Sequence, residues 1–339
     1  MAAVRLADCR VRPGRPTDLE AVAGLARLTG GGFTNLPSGR AALAERIERS
    51  VAAFARTEPR ADDLFLMVLE HRPSARVLGT AVIFASVGHT WPFYSYKITT
   101  IAMKSRELAR TFRTRVLHLV NDFDGACEVG GLFLHPEARG GGLGRLLARA
   151  RYLFMARHRA RVADRCLAEL RGVLRPDGSS PFWDGLAGRF FGMDFLEADR
   201  FNALHGNQFI ADLMPKYPVY EALLAPEAAA VIGVEHPDGR AARRMLEREG
   251  FRFNQYIDIF DGGPTLDVET DRILTVATAR TARVAPHPAP PDAPLSLVAH
   301  GYLEDFRVMA VAVQASEDRI ALEPSAGVPA GEEVLHVPF

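Results

Sequence analysis

The sequence predicts an α/β (α+β) fold: a mixed, mostly antiparallel sheet flanked by helices, with a helical insertion and a small C-terminal β-rich region. Three observations predict it. Several apolar, strand-like segments succeed one another between residues 64 and 134 with no helical pattern between them, which favours antiparallel pairing. A strand at 128–134 then runs through a glycine-rich loop into an amphipathic helix at 143–157. Hydrophobic residues are 48% of the 339 and charged residues 24%, enough to build a core and too apolar for a disordered chain.

The elements follow in order. Residues 8–12 read as a short strand, and Asp18 as the N-cap of a helix over Leu19–Leu28, its carboxylate accepting first-turn N–H groups. Thr29-Gly30-Gly31-Gly32 ends that helix. Residues 41–55 place Leu, Ile and Val at helical spacing among Arg and Glu. Two apolar runs, 64–69 and 77–85, flank His71-Arg72-Pro73-Ser74 as a hairpin. Strands follow at 94–101, 116–119 and 166–172. Helical segments lie near 181–191 and 206–224. A helix over 240–249 stops at Gly250, and 251–260 alternates aromatic and polar residues as a strand does. Asp261-Gly262-Gly263-Pro264-Thr265 is a breaker. Strands are expected beyond it at 273–277, 295–299, 306–313, 319–322 and 333–338, with Pro286–Pro294 as a connection. This divides the chain into 1–265, carrying a helical insertion at about 173–235, and a small β-rich unit at 266–339.

Composition narrows the function. Lys+Arg is 41 and Asp+Glu is 41, so there is no basic excess for a nucleic-acid surface. Cys9, Cys127 and Cys166 are odd in number and far apart, which speaks against a disulfide framework or a zinc site and for a reducing compartment. No apolar run reaches the ~18 residues of a membrane span, and no signal peptide is read at the start. The expectation is a cytoplasmic protein with small-molecule substrates, no nucleic acid, no membrane and no metal.

Arg139-Gly140-Gly141-Gly142-Leu143-Gly144-Arg145 is the most informative short stretch. Without Cβ atoms its backbone can curl until successive N–H groups converge, and a helix N-terminus adds about half a positive charge there. Such a site suits a diphosphate. It lacks the Lys-Ser/Thr of a Walker A loop. It fits Arg-x-x-Gly-x-Gly and resembles the pyrophosphate loop of GNAT acyltransferases, which bind acyl-coenzyme A. Leu246-Glu247-Arg248-Glu249-Gly250-Phe251, a helix stopped by glycine before an aromatic strand, resembles the unit that ends such domains.

Longer strings resemble one family. They are Thr29-Gly30-Gly31-Gly32-Phe33-Thr34-Asn35-Leu36-Pro37, Ala168-Glu169-Leu170-Arg171-Gly172-Val173, Ser180-Pro181-Phe182-Trp183 and Arg189-Phe190-Phe191-Gly192-Met193-Asp194-Phe195. Further on are the strings 209–216, Val231-Ile232-Gly233-Val234-Glu235-His236-Pro237, and 256–265. In order, over nearly the whole chain and fading after about residue 275, they are similar to the arginine N-succinyltransferase family. The resemblance implies transfer of the succinyl group of succinyl-coenzyme A to the α-amino group of L-arginine, with no tightly bound cofactor. It implies that His236 moves the proton and that Leu132 contacts succinyl-coenzyme A. It also implies a homodimer, or a heteromer with a related subunit.

The chemistry can be set against the residues. The α-ammonium must lose a proton before it attacks a thioester, and an imidazole is suited to that near neutral pH. The thioester oxygen needs an N–H donor as it gains charge, which a splayed backbone near Leu132 can supply. The expected coenzyme A contacts are Leu132, Leu134 and the loop Arg139, Gly140, Gly141, Gly142, Leu143, Gly144 and Arg145. Leu132, Phe133, Glu128, Glu169 and Asp258 are the expected substrate contacts, with Asp194 and Asp261 as further carboxylates for the guanidinium. Gly30–Gly32 with Thr34 and Asn35, or Arg171, are candidates for the succinyl carboxylate. Tyr94 and Tyr96 could protonate the thiolate. Two other readings stay open: a non-catalytic or partner-dependent subunit, and a GNAT N-acyltransferase for ornithine or another amine.

Overall fold

The computed structural model describes residues 4–29, 35–37, 39–205 and 208–339, with the side chains of 203–205, 208, 210 and 211 also left aside. The chain begins with β1 (Cys9–Pro13), α1 (Leu19–Arg27) and α2 (Arg40–Phe54). Five strands follow: β2 (Leu64–His71), β3 (Arg76–Phe84), β4 (Ser95–Ser105), β5 (Arg110–Val120) and β6 (Cys127–Leu134). Next come α3 (Leu143–Arg157) and β7 (Arg165–Glu169). The helical stretch holds α4 (Pro181–Gly185), α5 (Gly188–Phe191), α6 (Phe195–His205), α7 (Gln208–Leu213), β8 (Val219–Tyr220) and α8 (Pro226–Ala230). The chain continues with α9 (Arg240–Arg248), β9 (Arg252–Ile257), β10 (Pro264–Glu269) and α10 (Leu274–Thr278). It finishes on β11 (Arg280–Val284), β12 (Leu295–His300), β13 (Arg307–Ala315), β14 (Arg319–Leu322) and β15 (Glu333–Pro338).

The main sheet runs β1-β2-β3-β6-β7-β10-β9-β4-β5-β8. Its pairs are antiparallel except β6 with β7. Strands β11 to β15 pair in the order β12-β15-β11-β14-β13, and β12 also pairs with β13. That second pairing closes the five into a small barrel, which removes their free edges. The barrel has its own interior, formed by Val298, Met309, Val311, Ile320 and Val334 among others. A bridge from Val11 to Val308 joins it to β1.

Helix α3 lies between sheet and barrel. Leu146, Leu147, Ala150, Leu153 and Phe154 share one core with sheet residues and with Leu297, Phe306 and Val308 of the barrel. Arg149 is buried on this helix and donates to Thr275 Oγ1 and to the Pro338 carbonyl, both at 2.8 Å, with Glu249 as its counter-charge. Helices α1 and α2 cover another face through Val22, Leu43 and Ile47. The insertion packs around the fully buried Phe182 and Trp183.

Four differences from the sequence reading have physical causes. The expected boundary at 265/266 falls inside β10, which pairs with β7 from Thr265 to Glu269, so the main sheet extends to residue 269. The glycines of 261–265 make a tight turn and Pro264 opens the next strand instead of ending the unit. Residues 274–278 form a short helix where a strand was expected, their Thr275 N–H and hydroxyl both held by the buried Glu249. Asp18 does stand before α1, but its carboxylate is taken by the buried Arg12 guanidinium and the Arg15 N–H, so it does not cap the helix.

Candidate functional site

Strand β6 is the spine of the site. Cys127 faces Cys166 and Glu128 faces Leu167 across the parallel pair with β7. Beyond those residues β6 stays with β3 as far as Leu134, while β7 pairs with β10, and the two parallel strands part. The β3–β6 register shifts between Thr80 and Val82, opposite Gly131, whose φ is +56°. Gly131 and Leu132 thus stand together opposite Ala81, one of the two being the extra residue of a bulge. Gly130 and Gly131 also admit the Asn35 segment: a Cβ on Gly131 would stand 3.1 Å from the Asn35 carbonyl. Asn35 Nδ2 thereby reaches Glu128 Oε1 at 2.5 Å.

Where the strands part lies a cavity of about 370 Å³. Glu128, Glu169 and Asp258, expected from the sequence as substrate contacts, all line it, together with Asn35, Tyr94 and two cations of α2, Arg46 and Arg49. Burial raises the Glu128 carboxyl to about 7, with Asp258 adding to the rise, against the Asn35 hydrogen bond and the charge of Arg46. Burial and then Asp261 push Asp258 up to about 8, although the Phe260 and Asp261 N–H groups donate to it. Glu169 is raised well above the usual range by burial, then by Asp258, Glu128 and Asp261. Asp261 is raised by burial and held back by the N–H groups of Gly172 and Gly263. Four carboxyls thus stand together, Glu128 and Asp261 buried and Glu169 and Asp258 half-buried, and each is raised by burial and by its neighbours' charge. A cation of matching shape would displace protons from them.

Arg171 and His236 adjoin this cluster outside the cavity lining. The His236 N–H donates to the Arg171 carbonyl at 2.7 Å. Its Nδ1 accepts the Asp238 N–H at 3.2 Å, which assigns the proton of the neutral ring to Nε2. Burial, then the Arg171 charge, lower His236, and Asp238 opposes them. Arg171 is itself lowered by burial, offset by Asp261, Asp238 and Asp199, and its buried Nε has no hydrogen-bond partner among the described residues. His135 makes the same turn before Pro136, accepting the Glu137 N–H, so a His-Pro turn alone does not mark chemistry.

Farther along β6, Phe133 lies under the Arg139 guanidinium at 5.8 Å. The loop then passes through Gly140, Gly141 and Gly142 at φ +99°, +57° and +85°. Gly142 stands at the N-cap of α3, and Leu143 and Gly144 open the helix. A Cβ on Gly142 would lie 2.9 Å from the Phe339 ring, and the Arg145 guanidinium stacks on that ring at 3.7 Å. Three successive left-handed glycines thus lead directly into the N-terminus of α3, where first-turn N–H groups carry partial positive charge.

Several candidates lie elsewhere. Asp194 is exposed and receives the Glu197 N–H at 2.8 Å, capping α6. Tyr96 is buried, directs its hydroxyl at Met214 Sδ at 3.8 Å, and is raised by desolvation, which suits a packed tyrosine. Gly30–Gly32 and Thr34 lie outside the described residues. Arg46 and Arg49 were not singled out from sequence, because in an Arg-rich chain they read as the solvated side of a surface helix. Their i,i+3 spacing was the available signal. Among the described residues, no group of His, Cys, Asp and Glu could hold a metal ion.

A mixed sheet with one parted parallel pair, β6 and β7, and a glycine loop leading from β6 into a helix is a GNAT-like fold. The comparisons go further. The family model described as arginine N-succinyltransferase beta subunit matches residues 9–275. Arginine N-succinyltransferases of Enterobacter sp. (strain 638) and Salmonella paratyphi B are 40% and 42% identical, each over 92% of this chain and 91% of the relative. The solved arginine/ornithine succinyltransferase subunit AI from Pseudomonas aeruginosa superposes with a TM-score of 0.86 at 32% identity, covering 97% of this chain and 98% of that one. The chain belongs to the arginine N-succinyltransferase family.

Proposed function

We propose that this chain transfers the succinyl group of succinyl-coenzyme A to the α-amino group of L-arginine, giving N2-succinylarginine and coenzyme A. The observation that carries the reading is the cavity in which Glu128, Glu169 and Asp258 converge, since a buried cluster of carboxyls is matched by a guanidinium. The glycine cradle 140–144, flanked by Arg139 and Arg145, takes the diphosphate of the thioester. The bulged backbone at Leu132 supplies an N–H to the thioester oxygen, with Phe133 and Leu134 packing along the same strand. His236, kept neutral by burial and Arg171, accepts the proton of the α-ammonium and returns one to the departing thiolate.

The enzyme works in the cytoplasm, as a homodimer or with a related subunit. Its three buried free cysteines fit a reducing compartment. The words "beta subunit" and "subunit AI" attached to its family model and structural relative support assembly. Light scattering that finds only a particle of 37.1 kDa contradicts the oligomer. The function is tested by incubating the purified chain with succinyl-coenzyme A and arginine, ornithine or lysine in turn. Thiol release with arginine, and a product succinylated at N2 by mass spectrometry, are expected. No thiol release with any amine, in a folded preparation, refutes the reading and favours a partner-dependent subunit.

A further inference from the structure

We propose that Arg46, with Arg49 one turn on, is the specificity-determining group of the cavity and receives a carboxylate of the bound substrates. Both arginines come from α2 and both line the cavity. They stand at i,i+3, so they share one side of the helix. The Arg46 guanidinium lies 5.5 Å from the centre of the Phe84 ring, and its Nη1 donates to the Asn35 carbonyl at 2.6 Å. These contacts, with a further one that Arg46 makes, orient a rigid guanidinium fork.

The electrostatics agree with the geometry. Arg46 is half-buried; burial draws it down to about 10 against the charges of Glu128 and Glu45, so it stays a cation at neutral pH. A desolvated guanidinium attracts an anion more strongly than one in bulk solvent. Its nearby carboxylate, Glu128, is itself drawn toward neutrality by burial and accepts from Asn35. On the α2 wall Arg46 and Arg49 stand with Glu45, whose charge also supports the Arg46 cation, and facing them are the carboxyls of β6, β7 and the turn after β9. A ligand set with charges of both signs fits the cavity. Under the acyl-transfer reading, on which this inference rests, two carboxylates enter: the free end of the succinyl group and the α-carboxylate of the amino acid.

The test uses Arg46→Gln and Arg46→Lys in the full-length enzyme, with melting temperature recorded for each. Two preferences in kcat/KM are measured: succinyl-coenzyme A over butyryl-coenzyme A, which lacks the terminal carboxylate, and arginine over agmatine, which lacks the α-carboxylate. Arg46→Gln is expected to reduce one preference by about 10- to 100-fold, the range for a hydrogen bond to a charged group, and to leave the other standing. The preference that falls names the carboxylate. Arg46→Lys retains the charge without the fork and is expected to fall between. Both preferences surviving in folded Arg46→Gln overturn the assignment. If that variant does not fold, unchanged preferences in Arg46→Lys overturn it. A parent enzyme that releases no thiol at all is seen before any variant is made, and overturns the acyl-transfer reading together with this one.

Discussion

His236 shows how little a single residue reveals until its neighbours are known. Its hydrogen bond to the Asp238 N–H is a turn device that His135 repeats, and a structural role would end there. What His236 has besides the turn is its place beside Arg171 and the carboxyl cluster: its own burial, then the Arg171 charge, lower the ring. His236→Ala is expected to lower kcat by roughly 10²–10⁴-fold, about 3–5 kcal/mol of barrier, with much smaller changes in both KM values. Full kcat with a lowered melting temperature would reduce His236 to its turn. Among the carboxylates, Glu128, Glu169, Asp194, Asp258 and Asp261 were equal candidates in sequence for a guanidinium, and the fold brings Glu128, Glu169 and Asp258 to one cavity. Asp194 was not separable from them by type or spacing. Only the fold shows that it caps α6 at the surface.

Elements read from local pattern held where the pattern was strong. The helix over 143–157 and the strand near 128–134 were both visible, because apolar periodicity and the glycine run agree there. Strands β10 and β11 were not. The first opens on a proline after two glycines, and the second, Arg-Thr-Ala-Arg-Val, carries too few apolar residues to stand out. Both exist because neighbouring strands offer ladders, a tertiary effect that local propensity does not record. The glycine loop yields a prediction at this scale. Gly142 has φ +85° and faces the Phe339 ring, so Gly142→Val is strained and crowded at once. The KM for succinyl-coenzyme A is expected to rise at least tenfold while the KM for arginine stays close to the parent value. Equal KM values for the thioester in a folded variant would remove the loop from the site.

The cavity belongs to the whole molecule. Its lining comes from the Asn35 segment, α2, β3, the segment before β4, β6, β7, Asn202 of α6 and the turn after β9, separated by more than 200 residues of chain from first to last. No window of sequence contains it, which is why its cationic side went unread while its acidic side was partly found. The barrel was visible only as a run of short strands. Its closure through β12 and β13, and its hold on α3 through Arg149 and Pro338, depend on contacts between distant segments.

The central claim is that the buried carboxyls receive the guanidinium of arginine. Burial raises Glu128 to about 7 and Asp258 to about 8, with Asp258 adding to the first and Asp261 to the second. A bound cation favours the ionised forms and lowers both, so protons leave as arginine enters and affinity rises with pH across that range. Calorimetric titration of arginine into the enzyme, with coenzyme A present, in phosphate and in Tris at pH 7.5, counts those protons. The account predicts release of on the order of one proton, shrinking toward zero by about pH 9.5 and reduced in Glu128→Gln. Heats of binding that do not depend on the buffer, or a proton count unchanged by Glu128→Gln, would contradict it.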